Sequence, residues 1–201
     1  MAADPRPRRF VLVRHGATDW SEEGRHTGWT DISLNADGLR QAGTLGPRLV
    51  EYAFEAVLCS PLQRAVTTCQ RAGLGDRAQL DPDLREWNYG EYEGLTSDEI
   101  RARTPDWTLW KDGVRNGETI DEVAERADRV VARLRDVRGD AVVFAHGHLL
   151  RVLAARWIDE PALLAQHLNL TTASISTLAS EHDWPSITLW NDAGHLRPLR
   201  F

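Results

Sequence analysis

Near the start of the chain, a cation, an imidazole and a glycine stand together as Arg14, His15 and Gly16, directly after the apolar run of residues 10–13. The guanidinium of arginine matches the oxygens of a phosphate group, and neutral histidine offers a nucleophilic nitrogen with an ordinary pKa of about 6.5. Together these side chains indicate covalent phosphoryl transfer through histidine. The tripeptide alone leaves another interpretation open, in which Arg14 pairs with a surface carboxylate and His15 only ends a strand.

A second histidine follows another apolar run. Residues 141–145 lead directly into His146, Gly147 and His148, which repeats the arrangement at the start of the chain. A histidine in this place can hydrogen-bond a phosphoryl oxygen. A single histidine of this kind is more often structural, but two of them, each at the end of an apolar run, favour a shared site.

Arg64 comes shortly after the apolar run of residues 56–59 and the pair Ser60-Pro61. Serine followed by proline predicts an N-cap and the first turn of a helix, so Arg64 is expected in that turn. Free backbone N–H groups and the helix dipole favour an anion there, and a bound phosphate would offset the repulsion between the dipole and the arginine. A solvated surface arginine is the alternative.

Carboxylates are mixed with aromatic residues in residues 81–95. Packing against an aromatic surface raises the pKa of a carboxyl group toward that of a general acid. Glu86, directly before Trp87, is therefore the candidate acid. Glu91 and Glu93 are interpreted as solvated or as hydrogen-bonded to backbone N–H groups.

Two irregular segments are expected to flank the site. Residues 17–29 have no hydrophobic period and predict a long loop beside it, whose two tryptophans either wall the pocket or anchor the loop to the core. Residues 105–118 are expected to lie over the pocket as a lid. Within that lid, Arg115 and Glu118 are candidate substrate contacts, and exposure to solvent is the alternative.

The elements that must position these residues follow from the pattern. Four short segments predict strands buried in a parallel sheet, at residues 10–13, 56–59, 79–80 and 141–145. Apolar spacing and capping motifs predict helices over residues 35–51, from Ser60, from Thr96, from Thr119 to near Arg138, and over residues 149–158. Residues 174–190 predict a β-hairpin at the sheet edge. The fold class is α/β, a three-layer α/β/α sandwich around a mostly parallel sheet, in which ligands bind beyond the carboxyl ends of the strands.

Composition limits the function classes. The chain has 201 residues, 42% of them hydrophobic and 27% charged, as expected for one domain over residues 1–201 with a flexible tail at residues 1–9. A net charge of -6 argues against nucleic-acid binding but not against a small phosphorylated substrate. We recognise no membrane span, signal peptide or metal-ligand spacing. Only Cys59 and Cys69 are present, interpreted as core residues of a cytoplasmic protein.

Several segments, taken in chain order, resemble the histidine phosphatase superfamily and its phosphoglycerate mutase-like branch. They are residues 12–16, 27–31, 59–65, 84–87, 89–90, 117–119 and 146–148. The resemblance implies a phosphohistidine on His15, with Glu86 protonating the leaving oxygen and then activating water. It implies that Arg14, Arg64 and His146 hold the phosphoryl group, and that neither a metal nor another cofactor is needed. The candidate substrate-binding residues are Thr18, Ser21, Thr27, Gly28, Arg115, Glu118, Gly147 and His148.

Two departures from the family pattern favour hydrolysis over phosphoryl return. Residues 86–118 are too few for the insertion that mutases of this branch carry, and Ala17 and Ser21 replace the glutamate and asparagine common in mutases. Residues 84–94 and 144–151 look like the acid phosphatase and sedoheptulose-bisphosphatase subgroup, which implies a sugar phosphate as substrate. The leading hypothesis is a phosphomonoesterase of the histidine acid phosphatase type. A cofactor-dependent phosphoglycerate mutase and a phospholigand-binding protein without turnover are the alternatives, and a homodimer stays open.

Overall fold

A six-stranded sheet with strand order β3-β2-β4-β1-β5-β6 forms the centre of the computed structural model, which describes residues 8–182 and 184–196. The strands are β1 (Phe10–Arg14), β2 (Phe54–Cys59), β3 (Gln79–Leu80), β4 (Asp140–Ala145), β5 (Ile175–Glu181) and β6 (Trp184–Asp192). The first four strands along the sheet are parallel, whereas β5 and β6 pair antiparallel to their neighbours. The predicted strands and the predicted hairpin are thereby confirmed. Asp183, between β5 and β6 in the sequence, lies outside the described residues.

Helices cover both faces of this sheet. They are α1 (Asp19–Glu22), α2 (Ala36–Gly43), α3 (Gly46–Leu49), α4 (Gln63–Arg71), α5 (Ser97–Arg101), α6 (Leu109–Asp112), α7 (Ile120–Asp136) and α8 (Gly147–Trp157). Short 3-10 segments occupy Gly75–Arg77, Pro82–Leu84, Gly90–Tyr92, Ala162–His167 and Gly194–Leu196.

Alternate residues of β1 belong to different cores. Phe10 and Leu12 pack in a cluster with α7 and α8, whereas Val11 and Val13 pack in a second cluster with α4. Because successive strand side chains point to opposite faces, the sheet separates two apolar layers. This is the predicted three-layer α/β/α sandwich. No helix of the described residues is long and apolar enough to cross a membrane.

The predicted helix over residues 35–51 is interrupted. Asn35 caps its start, as the pattern indicates, but α2 ends at Gly43 and α3 begins anew at Gly46. Pro47 lies in the first turn of α3, where its missing N–H is tolerated, whereas inside a continuous helix it would remove a hydrogen bond.

The predicted N-cap of α4 is also displaced. Leu62 precedes the first helical residue, Gln63, and makes no side-chain cap. The hydroxyl of Ser60 accepts from the N–H of Leu62 at 3.3 Å, before the helix begins, and is hydrogen-bonded to His146, 2.7 Å away. Arg64 nevertheless lies in the first turn of α4, as predicted.

Arg8 and Arg9, the last two residues of the predicted tail, contact the folded domain. Arg9 forms a salt bridge with Asp140 at 2.7 Å, and Arg8 donates hydrogen bonds to the carbonyls of Arg135 and Val137. These contacts hold the entry to β1 against β4 and the end of α7. Residues 1–7 of the predicted tail lie outside the described residues.

Candidate active site

A cavity of about 200 Å³ opens at the carboxyl ends of the parallel strands. Its lining includes Arg14, His15, Arg64, Glu86 and Gly147, which come from β1, α4, the loop after Leu84 and the start of α8. Strand order explains the convergence, because β1 and β2 both pair with β4 and all three end on one side. The residues that four separate motifs singled out therefore meet in one place.

His15 is fixed in one tautomer by its own backbone. Its Nδ1 lies 2.7 Å from the carbonyl oxygen of Gly16, which can only accept, so Nδ1 carries the proton. The lone pair is then on Nε2, and the residue is 4% exposed. Burial, followed by the positive charges of Arg64 and Arg14, holds the pKa of His15 well below its usual range. The imidazole is therefore neutral and nucleophilic without a separate base.

The lowered pKa predicts activity in mild acid. A histidine of ordinary pKa would be only about one tenth neutral at pH 5.5, whereas a nucleophile with a lowered pKa stays neutral there. We expect kcat/KM, which reports the free enzyme, to be as high at pH 5.5 as at pH 7, because the nucleophile is neutral at both values. A profile on p-nitrophenyl phosphate from pH 4.5 to 9 measures this. A rate that falls tenfold per pH unit below pH 6.5, or that rises steadily to pH 9, contradicts it.

Gly16 lets the chain after the nucleophile pass against α2. A Cβ atom on Gly16 would lie 2.5 Å from the carbonyl oxygen of Gly38, a distance that no side chain tolerates. The N–H of Gly16 donates to the hydroxyl of Thr68, which donates in turn to the carbonyl of Arg64. Thr68 thus joins the strand that carries His15 to the helix that carries Arg64.

The two arginines beside His15, Arg14 and Arg64, are held by carbonyl groups instead of carboxylates. Arg64 donates to the carbonyls of Gly28 at 2.7 Å and Thr30 at 3.0 Å, and Arg14 donates to the carbonyl of Leu170. Burial lowers the pKa of both guanidinium groups, although arginine keeps its charge in proteins. Two fixed, partly desolvated positive charges beside His15 are suited to the oxygens of a phosphoryl group.

His146 lies behind the cavity lining, whereas its predicted role places it against the phosphoryl group. Its ring is fully buried and does not line the cavity. Its Nδ1 accepts from Nε of Arg64 at 3.1 Å, so its Nε2 donates to the hydroxyl of Ser60. Both ring nitrogens therefore have protein partners, whereas the prediction places one of them against a phosphoryl oxygen. His146 orients Arg64 and touches the ring of His15, at 5.1 Å between centroids.

Glu86 is held by the amino terminus of α8. Its Oε1 accepts from the backbone N–H groups of Leu149 and Trp87, both at 2.9 Å, and its Oε2 accepts from that of His148 at 3.0 Å. One carboxyl oxygen is thus fully used, whereas Oε2 keeps a lone pair for the cavity that Glu86 lines. Backbone N–H groups hold Glu86, whereas the signal in the sequence was its aromatic neighbour Trp87.

Glu118 lies behind Glu86, outside the cavity lining, so it is misplaced as a substrate contact. It forms a bidentate salt bridge with Arg126 of α7 and accepts from the N–H of Asn88 at 2.8 Å. Arg126 also donates to the carbonyls of Asp83, Arg85 and Glu86, which uses all five of its N–H groups. The pair fixes the backbone that carries the candidate acid.

Weakening the salt bridge between Glu118 and Arg126 should slow the hydrolysis of esters whose leaving group must be protonated. We expect Arg126→Lys, which keeps the charge but loses the planar fork, to lower kcat/KM for alkyl phosphates about tenfold or more. The effect on p-nitrophenyl phosphate should be smaller, since nitrophenolate leaves without protonation. Arg71→Lys, at an exposed arginine at the end of α4, is the control. An equal loss on both kinds of ester would show that Arg126 serves only the fold.

The remaining substrate-binding candidates divide into two groups. Those that line the cavity are Ser21, Thr27, Gly147 and His148. Those that do not are Thr18, Gly28 and Arg115. Thr18 is buried and caps α1, Gly28 contributes only its carbonyl to Arg64, and Arg115 is exposed in a separate surface cleft.

Residues 105–118, which were predicted to form a lid, pack against the core. Trp107 and Leu109, 3% and 5% exposed, belong to the larger core cluster, which fixes residues 105–118 against α7 and α8. Solvent exposure, the alternative interpretation for Arg115, is what the structure has.

Several cavity residues were not singled out from the sequence, among them His26, Tyr89 and Arg151. The Tyr89 hydroxyl lies 2.5 Å from Nδ1 of His148, and burial lowers the pKa of His26 to about 4. Arg151 follows the second histidine motif by one helical turn, a spacing that places it on the same side of α8 as His148. That spacing was the available signal.

Comparisons with known proteins identify the family of the chain. The family model "Histidine phosphatase superfamily (branch 1)" matches residues 10–193. An acid phosphatase of Mycobacterium tuberculosis is 38% identical over 198 residues, which cover 96% of this chain and 97% of that protein. The sedoheptulose 1,7-bisphosphatase of Saccharomyces cerevisiae is 36% identical, with 74% of this chain and 67% of that protein covered. A solved structure, of the product of an M. tuberculosis open reading frame, superposes with a TM-score of 0.88 at 38% identity, covering 94% of this chain and 99% of that one. The family resemblance of the motifs is confirmed.

Proposed function

Because the chain belongs to the histidine phosphatase superfamily, we propose that it is a phosphomonoesterase that hydrolyses a small phosphorylated metabolite, in particular a sugar phosphate, through a phosphohistidine on His15. The observation that carries the proposal is a neutral Nε2 of His15 in one cavity with two arginines and the free lone pair of Glu86. A protein that only binds phosphorylated ligands has no need of the acid.

In the first half of the proposed reaction, the lone pair on Nε2 of His15 attacks phosphorus. Arg14 and Arg64 neutralise the charge on the non-bridging oxygens, and His146 keeps Arg64 in place. The bond from phosphorus to the ester oxygen breaks as Oε2 of Glu86 delivers its proton to that oxygen. The alcohol leaves neutral, and His15 carries the phosphoryl group.

In the second half, Glu86 acts as a base. Its carboxylate takes a proton from a water molecule that enters where the alcohol left, and the resulting oxygen attacks phosphorus. The bond to Nε2 breaks, inorganic phosphate departs, and both His15 and Glu86 return to their starting states. The hydrogen bond from Nδ1 to the Gly16 carbonyl stabilises the positive charge that the ring carries while it is phosphorylated.

Hydrolysis competes with return of the phosphoryl group to product, which would make the protein a mutase. Ser21 lines the cavity and stands where mutases commonly have asparagine. The interval between Glu86 and Glu118 is too short for the insertion that mutases carry. Both features favour access for water. We also propose that the protein acts in the cytoplasm, in keeping with the free, buried thiols of Cys59 and Cys69.

The proposal is tested by phosphate release from p-nitrophenyl phosphate, fructose and sedoheptulose bisphosphates, and 3-phosphoglycerate. We expect steady release from at least one sugar phosphate, faster than from the generic aryl ester. Isomerisation of 3-phosphoglycerate that depends on a bisphosphoglycerate primer and releases no phosphate would identify a mutase instead. Binding of these ligands without turnover or phosphoenzyme would identify a binding protein.

A further inference from the structure

Arg151 presents a fixed guanidinium group to the outer part of the cavity. Its Nε donates to the carbonyl of Ala165 at 2.9 Å, and its Nη2 donates to that of Gln166 at 3.1 Å. The guanidinium lies over the ring of Trp110, 4.8 Å from the centroid. These contacts hold the side chain in position while Nη1 forms no hydrogen bond with any described residue. Such a preorganised donor loses little entropy when a ligand binds.

The charges of the cavity do not balance without a ligand. Four arginines line it, Arg14, Arg25, Arg64 and Arg151, whereas Glu86 is its one carboxylate among the described residues. Arg25 is already paired with Glu23 and Glu99 on the rim. Arg14 and Arg64 flank His15 and are suited to the phosphoryl group that is transferred. One positive charge is left over.

That remaining charge is on Arg151. Within residues 8–182 and 184–196, no carboxylate lies within 4.0 Å of its guanidinium. Burial lowers its pKa, and the charge of Glu86 raises it. The neighbouring His148 is neutral, since burial and then the charge of Arg151 hold the pKa of that imidazole well below its usual range. A desolvated cation without a partner is costly, and an anionic ligand group removes that cost.

We propose that Arg151 binds a second anionic group of the substrate, so that preferred substrates are phosphomonoesters whose leaving group itself carries a phosphate or a carboxylate. This inference rests on the proposed phosphatase function of the same cavity. The transferred phosphoryl group lies between Arg14 and Arg64, the ester oxygen faces Glu86, and the distal anion reaches Nη1 of Arg151. The rings of Tyr89 and His148 form a neutral wall beside the carbon chain.

The test uses substrate pairs that differ by one anionic group. The first pair compares fructose 1,6-bisphosphate with fructose 1-phosphate and fructose 6-phosphate. The second compares 3-phosphoglycerate with glycerol 3-phosphate. kcat/KM is measured for the wild type, Arg151→Met, Arg151→Lys and the control Arg71→Met, which removes an exposed arginine at the end of α4.

We expect the wild type to prefer the doubly anionic member of one pair, and Arg151→Met to reduce that preference tenfold or more, as for a lost charge-assisted hydrogen bond. Arg151→Lys should keep part of it, and Arg71→Met all of it. A loss confined to the fructose pair identifies a second phosphate, and a loss confined to the glycerate pair identifies a carboxylate. If Arg151→Met lowers kcat/KM equally for both members of each pair, or if the wild type has no preference, the subsite is absent. Hydrolysis of the singly charged esters would in that case still support the phosphatase. If the wild type hydrolyses none of these esters, both proposals fail.

Discussion

Replacing His15 with alanine is expected to lower kcat for phosphate release by at least about 10³-fold, because the variant has no atom that can accept the phosphoryl group. The remaining arginines still bind phosphate, so the KM or the inhibition constant of inorganic phosphate should change far less than kcat. Brief mixing of the wild type with a phosphate-labelled ester, followed by quenching, should trap a phosphoenzyme that is stable to alkali and labile to acid. His15→Ala should form none.

A matched control excludes loss of folding as the cause. His182, exposed near the β5–β6 turn with φ of 55°, can be changed to asparagine, which tolerates that conformation. We expect His182→Asn to keep full activity and His15→Ala to melt within a few degrees of the wild type. A labelled phosphoenzyme in His15→Ala, or turnover above one tenth of the wild-type rate, would show that another residue is the nucleophile.

The sheet could be predicted because its strands carry a simple signal. Residues 10–13 and 141–145 are uninterrupted apolar runs, which are typical of strands in a sheet covered on both faces, and the glycine and histidines after them mark the ends of those strands. The break between α2 and α3 was missed because the apolar stripe continues through Leu45 and Leu49, both buried, while the backbone restarts at Gly46. Side-chain periodicity reports which face is buried, and it does not report whether the backbone hydrogen bonds are continuous.

The reacting groups could be located from the sequence, but their supporting contacts could not. His15, Arg64 and Glu86 each follow a recognisable motif, and the strand order brings them together. The contacts of Arg126 with three carbonyls 40 to 43 residues away depend on how α7 packs, which no local pattern encodes. For the same reason the sequence does not show that Glu118 pairs with Arg126: a motif marks a residue as important without saying which side of the acid loop its side chain occupies.

Changing Glu86 to glutamine should have an effect that depends on the leaving group. The amide keeps the shape of the side chain and one acceptor oxygen for the N–H groups of Leu149 and Trp87, but it cannot donate a proton to a leaving alkoxide. For alkyl phosphates, we expect kcat/KM to fall by about 10²–10⁴-fold, the usual contribution of a general acid. For p-nitrophenyl phosphate, kcat/KM should fall less than tenfold, since nitrophenolate needs no proton to leave.

With the aryl ester, Glu86→Gln should also complete the first half of the reaction and be slow in the second. Glu86 is the proposed base for attack of water on the phosphohistidine, so Glu86→Gln should release about one nitrophenolate per site in a rapid burst and then turn over slowly. The phosphoenzyme should accumulate during the burst, whereas an alkyl phosphate should give neither burst nor phosphoenzyme. Glu91→Gln, an exposed carboxylate five residues away, is the control and should behave as the wild type. Equal losses on both esters without a burst would remove Glu86 from proton transfer and leave it as an anchor for the amino terminus of α8, because an anchor would disturb both halves of the reaction without regard to the leaving group.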